Sequence, residues 1–211
     1  MFAVDAHENP AILQAAIVDF FHDLSRVMIA VDQRLREQSF VAVGDLSVFQ
    51  DLSAALDRSS RWIPKYLARA YVKGKKPTRA IGYCIHLGPY TDPTTSAYLN
   101  KSRLELPFVS LASLKDMQPG PLEVERRQIW DRLWDSGWWA TYEDQVAGPL
   151  RTYRTTKEIS GFQANITGAL SDLFPLNDTA AVTERIVTPL VLLFEDRNAE
   201  LLQSPHLLLR P

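Results

Sequence analysis

The residues best suited to bind a partner are cations and aromatic residues concentrated between positions 58 and 90. This stretch holds eight of the chain's 23 basic residues and none of its 25 acidic residues. Its formal charge is therefore +8, whereas the rest of the chain sums to −10. The basic residues are Arg58, Arg61, Lys65, Arg69, Lys73, Lys75, Lys76 and Arg79, and the interleaved or following aromatic residues are Trp62, Tyr66, Tyr71, Tyr83 and Tyr90.

This composition predicts a surface that binds an anionic partner. Arginine and lysine neutralise phosphates or carboxylates, and exposed aromatic rings stack on nucleobases. Single-stranded nucleic acid and an acidic protein surface both fit that chemistry. The alternative is that these cations are solvated or pair with acids elsewhere in the chain. The net charge of −2 and the pI near 6.1 exclude a uniformly basic nucleic-acid binder. The predicted binding residues are the eight cations together with Trp62 and Tyr71.

Tryptophan is concentrated in a second place. Trp130, Trp134 and Trp138 fall four residues apart, so on a helix they would lie along one side. Such a stripe is typical of a core, but an exposed tryptophan row is a strong anchor for another protein. The three residues are therefore candidates for a protein interface.

Catalytic and metal-binding patterns are weak. Cys84 and His86 point the same way on a strand but lie about 7 Å apart, which is too far for the histidine to activate the thiol directly. The four histidines show no metal-ligand spacing, and there is no CxxC and no phosphate-binding glycine loop. We expect no metal and no cofactor. Carboxylates that an enzyme could use are dispersed: Asp92, Glu105, Glu123, Glu125 and Asp131, with Lys101 nearby.

The element that opens the chain is a long amphipathic helix. Asn9-Pro10 is a favourable start, and apolar residues recur at intervals of three or four up to Leu35. The pattern predicts a helix to about Gln38, with Asp32 and Arg36 pairing weakly on its solvent side. A short connection over 40–44 then leads to a second helix that begins at Asp45 or Ser47.

The cationic stretch itself fits two elements. Pro64 could open a helix that ends at Gly74, or 65–73 could be a strand, which the hairpin-like sequence Gly74-Lys75-Lys76-Pro77 favours. In both cases Lys65, Arg69 and Lys73 share one face, because a spacing of four fits one helical turn and two strand repeats. Arg79–Leu87 is predicted to be a strand, and Leu104–Leu114 another, interrupted by Pro107.

The last third of the chain is predicted to be mainly helical. A helix is expected from Glu123 to about Ser136, then a hairpin around Gly148-Pro149. Thr156 is expected to cap a helix with its apolar stripe at Ile159, Phe162, Ile166, Leu170 and Leu173. A final helix starts at Asp178 and is kinked by Pro189, although 187–194 also fits a buried strand.

Together these patterns predict an α+β fold in one domain, with a small antiparallel sheet covered by the long first helix and by C-terminal helices. Residues 1–60 are expected to be helical, 61–156 mixed, and 157–211 mainly helical. The single cysteine, the absence of a signal peptide and the lack of a bilayer-length apolar run predict a cytoplasmic protein with no membrane partner. The favoured function is a non-enzymatic binding or assembly subunit. The alternatives are an enzyme with a dispersed carboxylate site that acts on nucleic acid, and a homo-oligomer built on the first helix.

Overall fold

The structure, a computed structural model, describes residues 10–43, 66–75, 77–87, 107–115, 143–147, 150–154, 162–170, 176 and 178–203. For 143–147, 150–154 and 162–169 it describes the backbone and the strand pairing. The predicted second helix at 45–60, the predicted helix at 123–136 and the apolar tail at 204–211 lie outside these ranges.

Helix α1 spans Pro10–Glu37 and confirms the predicted long first helix. Its 28 residues extend over about 42 Å at 1.5 Å per residue. The apolar stripe faces the sheet: Leu24, Met28, Val31 and Leu35 are all buried. Burying one such side chain contributes roughly 1.5–3 kcal/mol to the free energy of folding, so this stripe supplies much of the free energy that holds α1 against the rest of the protein.

The sheet contains seven antiparallel strands among the described residues, in the spatial order β1-β2-β3-β4-β7-β6-β5. The strands are β1 Phe40–Val43, β2 Tyr66–Lys73, β3 Ala80–His86, β4 Phe108–Lys115, β5 Glu143–Ala147, β6 Leu150–Arg154 and β7 Phe162–Ala169. Within the cationic stretch, the segment Tyr66–Lys73 is therefore a strand. The predicted strand at 79–87 is confirmed by β3, and the predicted hairpin around 148–149 is confirmed by the antiparallel pairing of β5 with β6.

One side of the sheet, the helix-covered face, carries alternate residues of the central strands. Leu67 and Tyr71 of β2 pack there beside Ile81, Tyr83 and Ile85 of β3 and Val109 and Leu111 of β4. The other side, the second face, carries the remaining residues of the same strands, among them Cys84 and Ser110 as well as Phe108 and Leu114, and these are buried as well. Strands β3 and β4 are thus buried on both sides, which is why their sequences are nearly continuous apolar runs.

A helical segment near the C-terminal end of the chain also packs on the helix-covered face. It consists of α2 (Thr179–Val182), a π-helical turn (Thr183–Val187) and α3 (Thr188–Phe194), and α4 (Asn198–Gln203) follows. Asp178 caps the start, since its side chain accepts a hydrogen bond from the Ala181 N–H at 2.8 Å. Pro189 has no N–H and its ring crowds the preceding turn, and the wider π-helical turn lies just before it. The interpretation of 187–194 as a strand is therefore wrong.

Two predictions about elements need correction. The segment 162–169 is strand β7, not the helix predicted from Thr156 onward. Its apolar residues Phe162 and Ile166 are four apart, a spacing that fits a strand as well as a helix, and pairing with β4 and β6 on either side selects the strand. The segment 40–43, predicted to be a connection, is the short strand β1, which pairs with the end of β2.

The α+β arrangement with an N-terminal helix, a central antiparallel sheet and C-terminal helices is confirmed. Within the described ranges, every helix is too short or too polar to cross a bilayer.

Candidate anion-binding site

Two of the predicted binding residues point into the protein. Arg69 is only 2% exposed, and its Nη2 donates to Asp32 Oδ2 of α1 at 3.0 Å. Tyr71 is 1% exposed, and its hydroxyl donates a short hydrogen bond to Asp32 Oδ1. The prediction that Arg69 and Tyr71 meet a partner is thus wrong. Both lie on the helix-covered face, where the alternation of β2 places them beneath α1.

The Asp32 carboxylate accepts both hydrogen bonds at the point where α1 crosses β2. A buried charge is tolerated when an opposite charge and hydrogen bonds replace its hydration, and Asp32 receives both. Burial raises the pKa of the Tyr71 and Tyr83 phenols well above their ordinary value, so both rings stay neutral. Among the described polar atoms, Arg69 Nε has no hydrogen-bond partner, which adds to the cost of burying this cluster. The arrangement therefore positions α1 and keeps these side chains away from the protein surface.

Three cations do meet at one end of the sheet. Val72 of β2 lies opposite Ala80 of β3, and Ala80 lies opposite Leu114 of β4. One residue further toward this end, the same register places Lys73, Arg79 and Lys115 side by side on the helix-covered face. Adjacent strands are about 4.8 Å apart, so the row spans roughly 10 Å from its first to its last cation. We call these three residues the cation row.

Aromatic rings and a helix end surround the cation row. Lys73 Nζ lies 5.1 Å from the centroid of the Phe40 ring, which is its register partner on β1. The Phe40 ring in turn packs edge-on against Phe194, with the ring centroids 5.0 Å apart. Arg79 Nη1 donates to the Phe194 carbonyl at 2.7 Å. Phe194 is the last residue of α3, so the negative end of this helix's dipole stabilises the positive charge of Arg79.

Asp196 is the carboxylate that lies against the row. Its Oδ2 is 3.2 Å from Arg79 Nη1, and its Oδ1 is 2.9 Å from Lys115 Nζ. The side chains of all three are part-exposed: 38% for Arg79, 28% for Lys115 and 35% for Asp196. Because like charges on neighbouring strands repel each other, the carboxylate offsets part of the cost of holding these cations together.

The lysines of the β2–β3 turn are the most accessible part of the site. Lys73 and Lys75 are exposed, and Gly74 between them has a φ of +87°, a backbone conformation that glycine adopts without strain. Neither lysine pairs with a carboxylate anywhere in the described part of the chain. The other predicted residues, Arg58, Arg61, Trp62, Lys65 and Lys76, lie outside the described residues, as do Trp130, Trp134 and Trp138.

The second face holds the only cysteine, and its surroundings do not activate it. Cys84 lies opposite Ser110, and His86 is stacked on Phe108 with the ring centroids 4.1 Å apart. The Ser110 hydroxyl lies 3.3 Å from His86 Nε2. Burial raises the pKa of the Cys84 thiol and lowers that of His86 to about 3, so both groups are neutral near pH 7. These four side chains are buried, so the cluster resembles a structural hydrogen-bond site more than a catalytic one.

An open groove of about 350 Å³ lies between the end of α1 and the π-helical turn. The side chains that line it include Arg34 and Glu37, which pair with each other at 2.8 Å, as well as Gln38, Thr183 and Glu184. Across the described ranges, His, Cys, Asp and Glu side chains nowhere form a group of three that could hold a metal ion.

The residues that sequence reasoning missed are Asp32, Lys115 and Asp196. Asp32 was assigned to the solvent side of α1, but it lies four residues after Met28 and three before Leu35, within the buried stripe. That position was a usable signal. Lys115 and Asp196 are far from the cationic stretch in sequence, and only strand register and helix packing bring them to Arg79.

No protein-family model matches the chain, and neither the curated proteins nor the solved structures include a match to it.

Proposed function

We propose that the chain is a non-enzymatic binding or assembly subunit that meets an acidic protein surface through the cation row and Lys75. The observation that carries this proposal is the exposed turn at Lys73 and Lys75, whose two charges lack a carboxylate partner among the described residues. It lies beside Arg79 and Lys115, so the four cations cluster at one end of the sheet, where Asp196 is the carboxylate that contacts two of them.

An acidic protein fits this end better than nucleic acid does. Single-stranded nucleic acid binding depends on exposed aromatic rings that stack on bases. Tyr71, which the sequence offered for that role, is buried, and Phe40 is buried beneath Lys73. A row of roughly 10 Å matches a small group of carboxylates on a protein surface, where complementary charge steers association and fixes orientation. The overall charge of −2 also disfavours a long polyanion.

The proposal is tested by reversing the two turn lysines. The double variant K73E/K75E should bind a fluorescein-labelled oligoglutamate peptide at least about tenfold more weakly than the wild type at low salt, since four units of charge change at the contact. Fluorescence anisotropy gives the dissociation constants. Neither lysine forms a described ion pair, and the variant loses only the contact between Lys73 and the Phe40 ring, so its free energy of unfolding should fall by no more than about 1 kcal/mol.

R26E/R36E is the matched control. It changes the net charge by the same amount on exposed positions of α1 that are not part of the row. Equal loss of binding in both double variants would show that overall charge, not this surface, governs association. A labelled single-stranded oligonucleotide provides the second arm. Tighter, Lys73- and Lys75-dependent binding to the oligonucleotide than to the peptide would reassign the surface to nucleic acid.

A further inference from the structure

We propose that Asp196 is a built-in competitor of the anionic partner: it holds Arg79 and Lys115 until an incoming carboxylate displaces it. This inference rests on the proposed function and adds a regulatory contact to the same site. In this arrangement the exposed turn lysines make the first encounter, and the partner gains the other two cations only by replacing the Asp196 carboxylate.

The backbone at Asp196 is one reason for this assignment. Asp196 ends helix α3 in a Schellman motif, in which its N–H donates to the Leu193 carbonyl at 3.3 Å and the Arg197 N–H donates to the Leu192 carbonyl at 2.9 Å. The residue at this position adopts a left-handed backbone, here with a φ of 59°. Glycine is the ordinary occupant, and aspartate, like asparagine, adopts this backbone at a smaller cost than most other side chains do.

Electrostatics provide a second reason. A carboxylate at the C-terminal end of a helix meets the negative end of the helix dipole, which is unfavourable by a few tenths to about 1 kcal/mol. Asp196 therefore occupies a position that both its backbone and its charge disfavour. Its two contacts to Arg79 and Lys115, at 3.2 and 2.9 Å, offset these costs.

The contact is suited to exchange. Arg79, Lys115 and Asp196 are each between about a quarter and two fifths exposed, so a partner's carboxylate can approach the same atoms. Exposed ion pairs contribute only about 0–1 kcal/mol each, which is small enough for a multivalent acidic segment to replace. Arg79 retains its 2.7 Å hydrogen bond to the Phe194 carbonyl, so its guanidinium stays positioned when Asp196 leaves.

The test is Asp196→Asn. Asparagine tolerates the left-handed backbone and removes the charge. D196N should bind the labelled oligoglutamate peptide about three- to tenfold more tightly than the wild type, because the partner no longer competes with an internal anion. The matched control is Glu195→Gln. It removes one negative charge from the adjacent residue, whose carboxylate contacts Arg197 at 3.1 Å and not the cation row. We expect E195Q to change affinity by less than about twofold.

A second readout does not depend on the macromolecular partner. Inorganic phosphate is titrated into each protein, while NMR follows the Arg79 Nε–H signal and the Lys115 side-chain methylene signals. In D196N these signals should shift at clearly lower phosphate concentrations than in the wild type or E195Q. Equal responses of D196N and E195Q in both assays would overturn the competitor role, even if Lys73 and Lys75 prove essential for peptide binding. Peptide binding that is absent in all proteins, with a phosphate response enhanced only in D196N, would instead refute the proposed partner and keep Asp196 as the internal competitor.

Discussion

At the scale of single residues, burial decides which ionisable groups act as charges and which act as neutral packing. Arg69 is charged and buried because Asp32 lies 3.0 Å away. His86 is buried beside Ser110 and Phe108, so it is favoured in its neutral form. The basic residues Lys73 and Lys75, by contrast, are exposed to solvent. Residue identity alone does not separate these cases.

The histidine makes stability depend on pH. Histidine titrates near pH 6.5 in an unfolded chain, whereas burial lowers the pKa of His86 in the folded protein to about 3. Between these values the unfolded chain binds more protons, so the free energy of unfolding rises with pH. The contribution is complete above about pH 6.5 and is lost as the pH falls toward 3. Lowering the pH from 7 to 5 should therefore cost about 2 kcal/mol from this residue.

Urea unfolding at several pH values measures this effect. The variant H86Q keeps a polar side chain that can bond to Ser110 but does not titrate. Its free energy of unfolding should fall less steeply than that of the wild type between pH 7 and pH 5, whatever its stability at pH 7. Parallel pH profiles for the two proteins would contradict the assignment.

At the scale of elements, the Asp32–Arg69 pair fixes how α1 lies on β2. Apolar contacts along the stripe of α1 are non-directional, whereas a charged hydrogen bond to one position is specific. Tyr71 adds a second bond to the same carboxylate, so two residues of β2 select one register for the helix. The turn between β2 and β3 begins only a few residues beyond this contact, and the cation row is held at the end of the same strand.

A double-mutant cycle tests this role. D32L and R69M each leave the other charge buried without its partner and should lower the free energy of unfolding by roughly 3–5 kcal/mol. The double variant D32L/R69M removes both charges, so its cost should fall below the sum of the single costs by at least about 2 kcal/mol. The exposed Arg34–Glu37 pair, at 2.8 Å, is the comparison, and its cycle should give a coupling below about 1 kcal/mol. A coupling for Asp32 and Arg69 as small as that of the exposed pair would remove the pair's specific role.

At the scale of the whole molecule, the charged groups discussed above form two sets, one buried and one partly exposed. The buried pair beneath α1 is shielded from solvent ions, whereas the cation row and Asp196 are partly exposed. The positive end of the sheet belongs to a chain with a net charge of −2. A local positive end on a weakly negative molecule suits association with one acidic surface more than general binding to polyanions.

Salt should therefore affect binding and folding differently. Raising NaCl from about 0.05 M to about 0.5 M should weaken binding of the oligoglutamate peptide at least about tenfold, because the Debye length falls well below the size of the contact. The free energy of unfolding should change by less than about 1 kcal/mol, since exposed ion pairs contribute little and the buried pair is not screened. Anisotropy and urea unfolding at the two salt concentrations measure both quantities. Binding that is insensitive to salt would rule out the electrostatic contact.

The sequence by itself determined the periodic elements: the length of α1, the strand at 80–86, the hairpin around residue 148, and the α+β class. These follow from spacing and turn residues, which act locally. It also identified a local excess of positive charge. It left 65–73 open between a helix and a strand. It predicted a helix at 162–169, because an apolar spacing of four also fits a helix, and pairing with β4 and β6 selected the strand instead.

Only the tertiary structure decided which cations are available. Arg69 and Lys73 share a face by spacing, but that face lies under α1, so Arg69 is buried against Asp32 while Lys73, at the strand end, stays exposed. Lys115 and Asp196 join the site through strand register and the packing of α3, contacts between residues 36 or more positions apart. Periodicity describes which side of an element a residue is on. What covers that side depends on distant parts of the chain.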